Sequence, residues 1–257
     1  MPEKPIVLAA VAHPDDIEFM MAGTLLRLKD AGCEIHLWNL ANGCCGTDSL
    51  PAEEIAAIRW KEIQASAALA GGIAHAPLFD DLAVFYDAPS IARVAAVIRE
   101  IQPEIILTQS PQDYMEDHQN TVRLVVTGAF SRGMVNVRTN PPVATNTKPV
   151  AVYHSLPHGL HDGLRQPIPC HFYTDISTVM DRKAAMLACH ASQKDWLDVS
   201  QGMGAYVDEM VRMSREMGRM SGEFEFGEGW RRHSHLGFAS EDFDPLNSIL
   251  QLSPTTA

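Results

Sequence analysis

The chain has 257 residues, of which 46% are hydrophobic and 20% charged, and its formal net charge is −12 at pH 7. Such a composition is typical of a globular protein with a full core, whereas the acidic balance argues against nucleic acid or an anionic membrane as the main partner. No apolar run approaches the ~20 residues that a membrane helix needs, and the first residues lack the apolar region of a signal peptide. We therefore expect a cytoplasmic protein that is not inserted in a membrane.

Strands and helices alternate through the first half of the chain. Apolar segments predict strands at 5–11, 33–40, 75–79 and 104–108, and helical spacing predicts helices at 18–31, 51–71, 89–101 and 118–130. Alternation of this kind, with apolar strands, predicts a parallel sheet that is covered by helices on both faces.

The second half of the chain is less regular. An exposed excursion after residue 133 precedes a strand at 150–155, a loop rich in His, Gly and Pro at 157–170, and helices at about 177–191 and 199–219. No internal repeat or low-complexity tract divides the sequence. We therefore predict one α/β domain over residues 1–257, with a mostly parallel central sheet and a helical C-terminal elaboration.

Five cysteines are spread over the sequence: Cys33, Cys44, Cys45, Cys170 and Cys189. An odd number without paired C-x-x-C clusters indicates reduced thiols in a cytosolic protein. The adjacent Cys44 and Cys45 lie in a predicted loop, where they are either reactive or incidental.

The segment His13-Pro14-Asp15-Asp16 follows the first predicted strand directly. His13 and Asp16, three residues apart, can bind one metal ion, while Asp15 points elsewhere and stays free as a base. Imidazole together with carboxylate suits zinc, and the incomplete set requires a third ligand from another segment. The alternative is a turn in which Asp15 or Asp16 only caps the following helix.

The loop after the fourth strand provides a candidate for the third ligand, because it ends at His118. In an open parallel sheet, ligands bind at the carboxyl ends of the strands, where the first and fourth loops converge. A set of His13, Asp16 and His118 would leave a coordination position open, as in catalytic zinc sites. The four ligands of a structural zinc site are not offered by the cysteines.

The first of these segments carries a family resemblance. Residues 12–18, Ala-His-Pro-Asp-Asp-Ile-Glu, resemble the A-H-P-D-D-x-E signature of the PIG-L/LmbE-like zinc-dependent de-N-acetylases. Supporting similarities to motifs of that family cover much of the chain: 42–47 (a small loop), Arg59 with Glu62 (R-x-x-E), Asp117-His118 (D-H), 190–193 (H-x-S-Q) and 228–231 (an E-x-F-R-like tail).

This resemblance implies a Rossmann-like three-layer sandwich with zinc at the carboxyl edge of the sheet. It implies His13, Asp16 and His118 as the zinc ligands and Asp15 as the general base that deprotonates the activated water. The implied substrates are N-acetylglucosamine-type amides, small amino sugars or their conjugates, and homo-oligomers are common in the family.

Four further residues have predicted roles. We expect Arg59 and Asn42 to contact the substrate, although an ordinary surface ion pair of Arg59 with a nearby acid such as Glu62 is an equal alternative. Glu18 opens the next helix and either supports the metal loop or only complements the helix dipole. We place Asp117 behind the metal ligands.

The chain departs from the family pattern at Met115, where many members have a histidine that stabilises the oxyanion or protonates the amine. A thioether can do neither. Tyr114, His154 and His158 are the candidates for the missing function. The alternative for the two loop histidines is that backbone groups or water simply satisfy them.

Two other functions remain open. A magnesium-dependent phosphatase or receiver-type domain also places paired aspartates after the first strand, although magnesium prefers oxygen ligands to histidine. A sugar-binding or regulatory protein on a degenerate deacetylase scaffold would explain Met115. The basic cluster near the C-terminus, which either rims the pocket or contacts another subunit, comprises Arg231, Arg232, His233 and His235.

Overall fold

The computed structural model describes residues 4–193 and 206–254. Their strands are β1 (Ile6–Val11), β2 (Glu34–Asn39), β3 (Ile73–His75), β4 (Ile105–Thr108), β5 (Ala151–Ser155), β6 (Phe172–Asp175), β7 (Gly227–Arg232) and β8 (Ser253–Pro254). They form one sheet in the order β3-β2-β1-β4-β5-β7-β6-β8. The first five strands pair in parallel, and β7, β6 and β8 join by antiparallel pairing.

Helices cover both faces of this sheet. They are α1 (Asp16–Met20), α2 (Ala22–Asp30), α3 (Ala52–Ala70), α4 (Ala88–Ile101), α5 (Glu116–Phe130), α6 (Met180–Leu187), α7 (Tyr206–Ser221) and α8 (Pro245–Leu250). Alternate residues of β1 enter two separate cores, as the two-residue period of a strand requires. One core packs against α2, α6 and α7 and the other against α4 and α5, so the predicted mostly parallel α/β fold with helices on both faces is confirmed.

The segment predicted as one helix over 18–31 is two helices. Met21 leaves the helical conformation, with φ −146° and ψ −3°. The first backbone N–H groups of α2, at Gly23 and Thr24, donate to the carboxylate of Glu228 at 2.8 and 2.7 Å. A carboxylate at a helix N-terminus satisfies donors that have no partner within the helix, which lets a second helix begin here.

The C-terminal region contains strands as well as the predicted helices. Strands β6, β7 and β8 were not predicted from the sequence. β7 reads Gly-Glu-Gly-Trp-Arg-Arg, which has no alternation of apolar and polar residues. The third strand also lies earlier than predicted, at Ile73–His75. The start of the helix predicted at 199–219 lies outside the described residues.

Within the described residues, no helix is both long and apolar enough to cross a membrane. All five cysteines lie in the described part of the chain, and none of them forms a disulfide bond.

Candidate metal centre and active site

The carboxyl ends of β1 and β4 are neighbours, since Ala10 pairs with Thr108 in parallel register. The loops that follow these two strands therefore bring His13 and His118 together. His13 Nδ1 lies 3.3 Å from His118 Nε2, and Asp16 Oδ2 lies 3.7 Å from the first nitrogen and 3.5 Å from the second. The three predicted ligands thus converge, although 102 positions separate Asp16 from His118.

The spacing of these atoms fits a shared metal ion. Two zinc–nitrogen bonds of about 2.1 Å at a tetrahedral angle place the nitrogens about 3.4 Å apart. Ligand atoms of His13, Asp16 and His118 all lie within 4.8 Å of one another. These described residues can therefore hold a metal ion, and two imidazoles with one carboxylate are a donor set that suits zinc.

Two buried carboxylates orient the imidazoles. Asp117 Oδ2 lies 3.0 Å from His13 Nε2, and Asp113 Oδ1 lies 3.0 Å from His118 Nδ1. The opposite nitrogen of each ring is thereby directed at the shared position, and carboxylates in this place raise the basicity of a ligating histidine. Asp117 lies behind His13 as predicted. Asp113 was missed, although its signal was present as a carboxylate in the same loop as His118.

The electrostatics of the centre favour a cation. Burial lowers the pKa of His13, but hydrogen bonds to Asp117 and Asp16 outweigh burial and raise that pKa to about 10. Burial raises the pKa of Asp16, but the charges of His118 and His13 outweigh it and hold the pKa below its usual range. The negative charge that retains protons on the imidazoles would equally stabilise a metal ion in their place.

Asp15 is held apart from the three ligands in a strained backbone conformation. Its φ is 95°, in the left-handed region that residues other than glycine rarely adopt. Its Oδ2 accepts hydrogen bonds from the Tyr206 hydroxyl at 2.6 Å and from Arg59 Nη2 at 3.2 Å. Burial raises the pKa of Asp15, and the charge of Arg59 opposes this only in part. The arrangement leaves a carboxylate beside the centre that can accept a proton.

Arg59 is buried beneath the two loops. Besides the contact with Asp15, its Nη2 donates to the Pro14 carbonyl at 2.5 Å, and Nη1 donates to the Gly43 carbonyl at 3.4 Å. The alternative ion pair with Glu62 is wrong, because Glu62 accepts hydrogen bonds from Ser192 instead. Arg59 reaches the cavity wall, but its guanidinium already binds protein groups, so it positions Asp15.

Glu18 binds a different partner from the one expected. Its carboxylate accepts a hydrogen bond from the Ser66 hydroxyl, and its Oε1 lies 3.3 Å from His190 Nε2. The side chain is buried and joins α1 to α3 and to the segment of the predicted H-x-S-Q motif. Glu18 therefore anchors the helix behind Asp15 through His190, with no contact between its side chain and the three ligands in the described residues.

A cavity of about 270 Å³ opens over the centre. Tyr114, Met115 and His158 contribute to its wall, together with the ligands and Asp15. Burial lowers the pKa of His158. Tyr114 is half exposed, and partial desolvation together with nearby carboxylates holds its pKa above its usual range. The cavity thus presents a neutral imidazole and a protonated phenol to a bound molecule.

Two candidates lie outside this wall. His154 is buried, with Nδ1 2.9 Å from the Gln109 carbonyl oxygen and Nε2 2.9 Å from His233 Nδ1. Asn42 donates to Asp80 at 2.6 Å and accepts from the backbone N–H of Cys44 at 3.0 Å. Both side chains are engaged in structural contacts, so neither is placed to meet a substrate.

The basic cluster does not form the rim of this cavity in the described part of the chain. Arg231 donates to the side chain of Gln112 at 2.7 Å, and Arg232 donates to the carbonyl oxygens of Glu241 and Phe243. None of its four residues lines the cavity, so the structure gives no support to the first of the two alternatives, a cluster that rims the pocket.

Tyr206, like Asp113, is a residue of the site that was not predicted from the sequence. It begins α7, 191 positions after Asp15, and its side chain is buried against the Phe19 ring with centroids 5.0 Å apart. No motif in the sequence marks this tyrosine. The contact between the Tyr206 and Phe19 rings joins α7 to α1 at the point where the Tyr206 hydroxyl reaches Asp15.

Comparisons with known proteins bear on the family and the fold of the chain. Residues 8–129 match the family model of PIG-L, GlcNAc-PI de-N-acetylase. This match covers 122 of the 257 residues, and over that part of the chain the resemblance to the PIG-L family predicted from the sequence is confirmed.

Individual relatives include more than one activity. The chain is 27% identical over 194 residues to diacetylchitobiose deacetylase of Thermococcus kodakarensis, covering 73% of this chain and 69% of that protein. It is 26% identical over 201 residues to 4-oxalmesaconate hydratase of Pseudomonas putida, covering 73% of each. The structure of N,N'-diacetylchitobiose deacetylase from Pyrococcus horikoshii superposes with a TM-score of 0.74 at 24% identity, over 95% of this chain and 89% of that chain.

Proposed function

We propose that the chain is a zinc-dependent hydrolase that removes the N-acetyl group from an N-acetylglucosamine-type amide. The observation that carries this proposal is the convergence of His13, Asp16 and His118 beside an unligated Asp15, all facing one cavity. Deacetylases among the relatives support the reaction class and the sugar substrate. When bound, zinc would supply Lewis-acid activation of water and of the acetamide carbonyl.

Asp15 would act as the general base. Its Oδ2 is fixed by Tyr206 and Arg59, so the carboxylate cannot turn away from the cavity. Since burial raises its pKa, it is a stronger base than an exposed aspartate and can keep the proton for later transfer.

Two residues of the cavity wall would stabilise the oxyanion and protonate the amine, which the thioether of Met115 cannot do. The Tyr114 hydroxyl stays protonated and can donate a hydrogen bond to the oxygen that becomes negative during attack on the amide. His158 lies in the same wall and can relay a proton to the departing amine. Asp15 can deliver the same proton directly.

A hydratase is the second candidate. It is favoured by the similarity to the 4-oxalmesaconate hydratase and by Met115, since addition of water to a carbon–carbon double bond has no departing amine to protonate. Both reactions need an activated water and a base, so the metal centre does not distinguish between them.

The two functions separate in one assay. Purified zinc-loaded protein is tested for primary-amine release from N-acetylglucosamine and its conjugates, and for hydration of unsaturated dicarboxylates, each with and without chelator. We expect chelator-sensitive amine release. Hydration without amine release would select the second candidate, and activity unaffected by metal removal would contradict both.

The variant Asp15→Asn tests the base. We expect kcat to fall about 10²–10⁴-fold, because general base catalysis is lost, while the zinc content stays at that of the original protein. The exposed Asp30, which pairs with Arg182, provides the matched control Asp30→Asn. Full turnover in Asp15→Asn would remove Asp15 from the mechanism.

A further inference from the structure

A second group of potential metal ligands lies beside the centre. Cys44 and Cys45, in the loop after β2, approach Asp81 so that one ligand atom from each lies within 4.8 Å of the others. None of the three belongs to the histidine–aspartate centre or to the proposed reaction. Both thiols are free, and neither is fully buried.

Hydrogen bonds hold this group in place. The two oxygens of Asp81 accept from the backbone N–H groups of Gly43 at 2.7 Å and Cys45 at 2.9 Å. Gly43 has φ +77°, and a Cβ there would lie 2.4 Å from Arg59 Cδ, so only glycine lets the loop sit this close to the buried arginine. The loop backbone that carries the two thiols, and the Asp81 carboxylate bound to it, are therefore held by the same packing that positions Asp15.

The donor atoms select a class of cation. Two thiolates with one carboxylate suit zinc, cadmium and softer ions, whereas magnesium and calcium require oxygen ligands. A carboxylate oxygen that accepts one backbone hydrogen bond keeps a lone pair for a metal. Binding would release the thiol protons, as metal binding to cysteine does generally.

The group shares a wall with the active site. Cys45 and Asp81 line the same 270 Å³ cavity as His13 and Asp15. A cation held there adds positive charge and coordinated water to a space that the substrate must enter.

We propose that Cys44, Cys45 and Asp81 form a second cation site, specific for thiophilic ions, whose occupancy blocks the cavity and inhibits the enzyme. The inhibition rests on the proposed function, whereas the binding does not. A first zinc ion supports turnover, and a second thiophilic ion removes it.

The experiment uses the full-length, zinc-loaded protein and Cd²⁺ as the probe. Binding is followed by the ultraviolet absorption of cadmium–thiolate bonds and by counting zinc and cadmium after desalting. We expect one zinc and one cadmium per chain, with the thiolate band, and a loss of at least tenfold in amine release that parallels cadmium binding. The double variant Cys44→Ser/Cys45→Ser should lose the band and the cadmium-dependent inhibition.

The matched control is Cys189→Ser, because Cys189 is a partly exposed free cysteine outside the cavity wall. It should keep both the band and the inhibition. Circular dichroism and thermal melting check that each variant is folded. A band that survives in the double variant, or no cadmium bound beside zinc, would overturn the site. If a second ion binds and turnover is undiminished, the proposed inhibition is overturned. If the protein releases no amine at all, the proposed function is contradicted, while the result on cadmium binding still stands.

Discussion

The loops after the parallel strands and the antiparallel C-terminal region contribute to the site in different ways. The segments that follow β1 and β4 supply all three ligands of the histidine–aspartate centre together with Asp15. The C-terminal region supplies no such ligand among the described residues, but it fixes what the loops present. Tyr206 binds Asp15, and Glu228 of β7 binds the first turn of α2. The reactive side chains thus come from two short segments of the sequence, whereas residues far away in the sequence hold them in position.

A variant of Glu228 provides the strongest test of the proposal that the C-terminal region holds the site in position. Its carboxylate is fully buried and binds Lys183 Nζ at 2.7 Å as well as the N-terminus of α2. We expect Glu228→Gln to lower the free energy of unfolding by about 3–5 kcal/mol, because Lys183 would remain buried without its counter-ion. Urea denaturation measures this. The exposed ion pair of Glu216 with Arg219 gives the control Glu216→Gln, which should change little. If both variants lowered the free energy of unfolding equally, the buried ion pair would contribute no more to stability than the exposed one.

A variant of Asp117 tests how the segments after β1 and β4 hold the metal ligands in position. We expect Asp117→Asn to weaken zinc binding about 10–100-fold, because His13 loses the carboxylate that orients it. Competition with a chromogenic chelator measures the affinity. The exposed neighbouring residue gives the control Glu116→Gln, which should bind zinc as before. Unchanged affinity in Asp117→Asn would mean that packing alone orients His13.

Tyr206 tests the C-terminal contribution to catalysis. Tyr206→Phe removes one hydrogen bond to Asp15 and keeps the ring, so we expect kcat to fall roughly tenfold with no change in zinc content. The comparison variant is Tyr86→Phe, whose hydroxyl contacts Thr127 at the surface. A loss of zinc in Tyr206→Phe would instead assign the tyrosine to the metal centre.

His154 in β5 and His158 in the segment after it give the smallest expected effect. His158→Ala should reduce kcat by less than tenfold, since Asp15 remains to carry the proton. His154→Ala should leave the pH profile unchanged: burial lowers the pKa of His154 to about 4, so the ring is neutral above that pH and has no charge to lose near neutrality. Full turnover in His158→Ala would leave proton delivery to Asp15 alone, and an altered profile in His154→Ala would contradict its structural role.

For the first half of the chain, most strands and helices could be predicted from the sequence. The apolar strands at 5–11 and 104–108 and the helices between them follow from strong periodic patterns. The break at Met21 was not predictable, because its cause is Glu228, about 200 residues later. The strand β7 has no periodic signal and is recognised only by its pairing with β5 and β6.

The sequence by itself determined which kinds of ligand atoms the site offers. The motif after the first buried strand contains these residues in a fixed order, so no tertiary contact is needed to identify them. Tertiary structure alone decided which distant groups complete the site. Asp113, Tyr206 and the buried Arg59 act through contacts of about 3 Å that depend on how separate elements pack, and the sequence carries no spacing rule for such contacts.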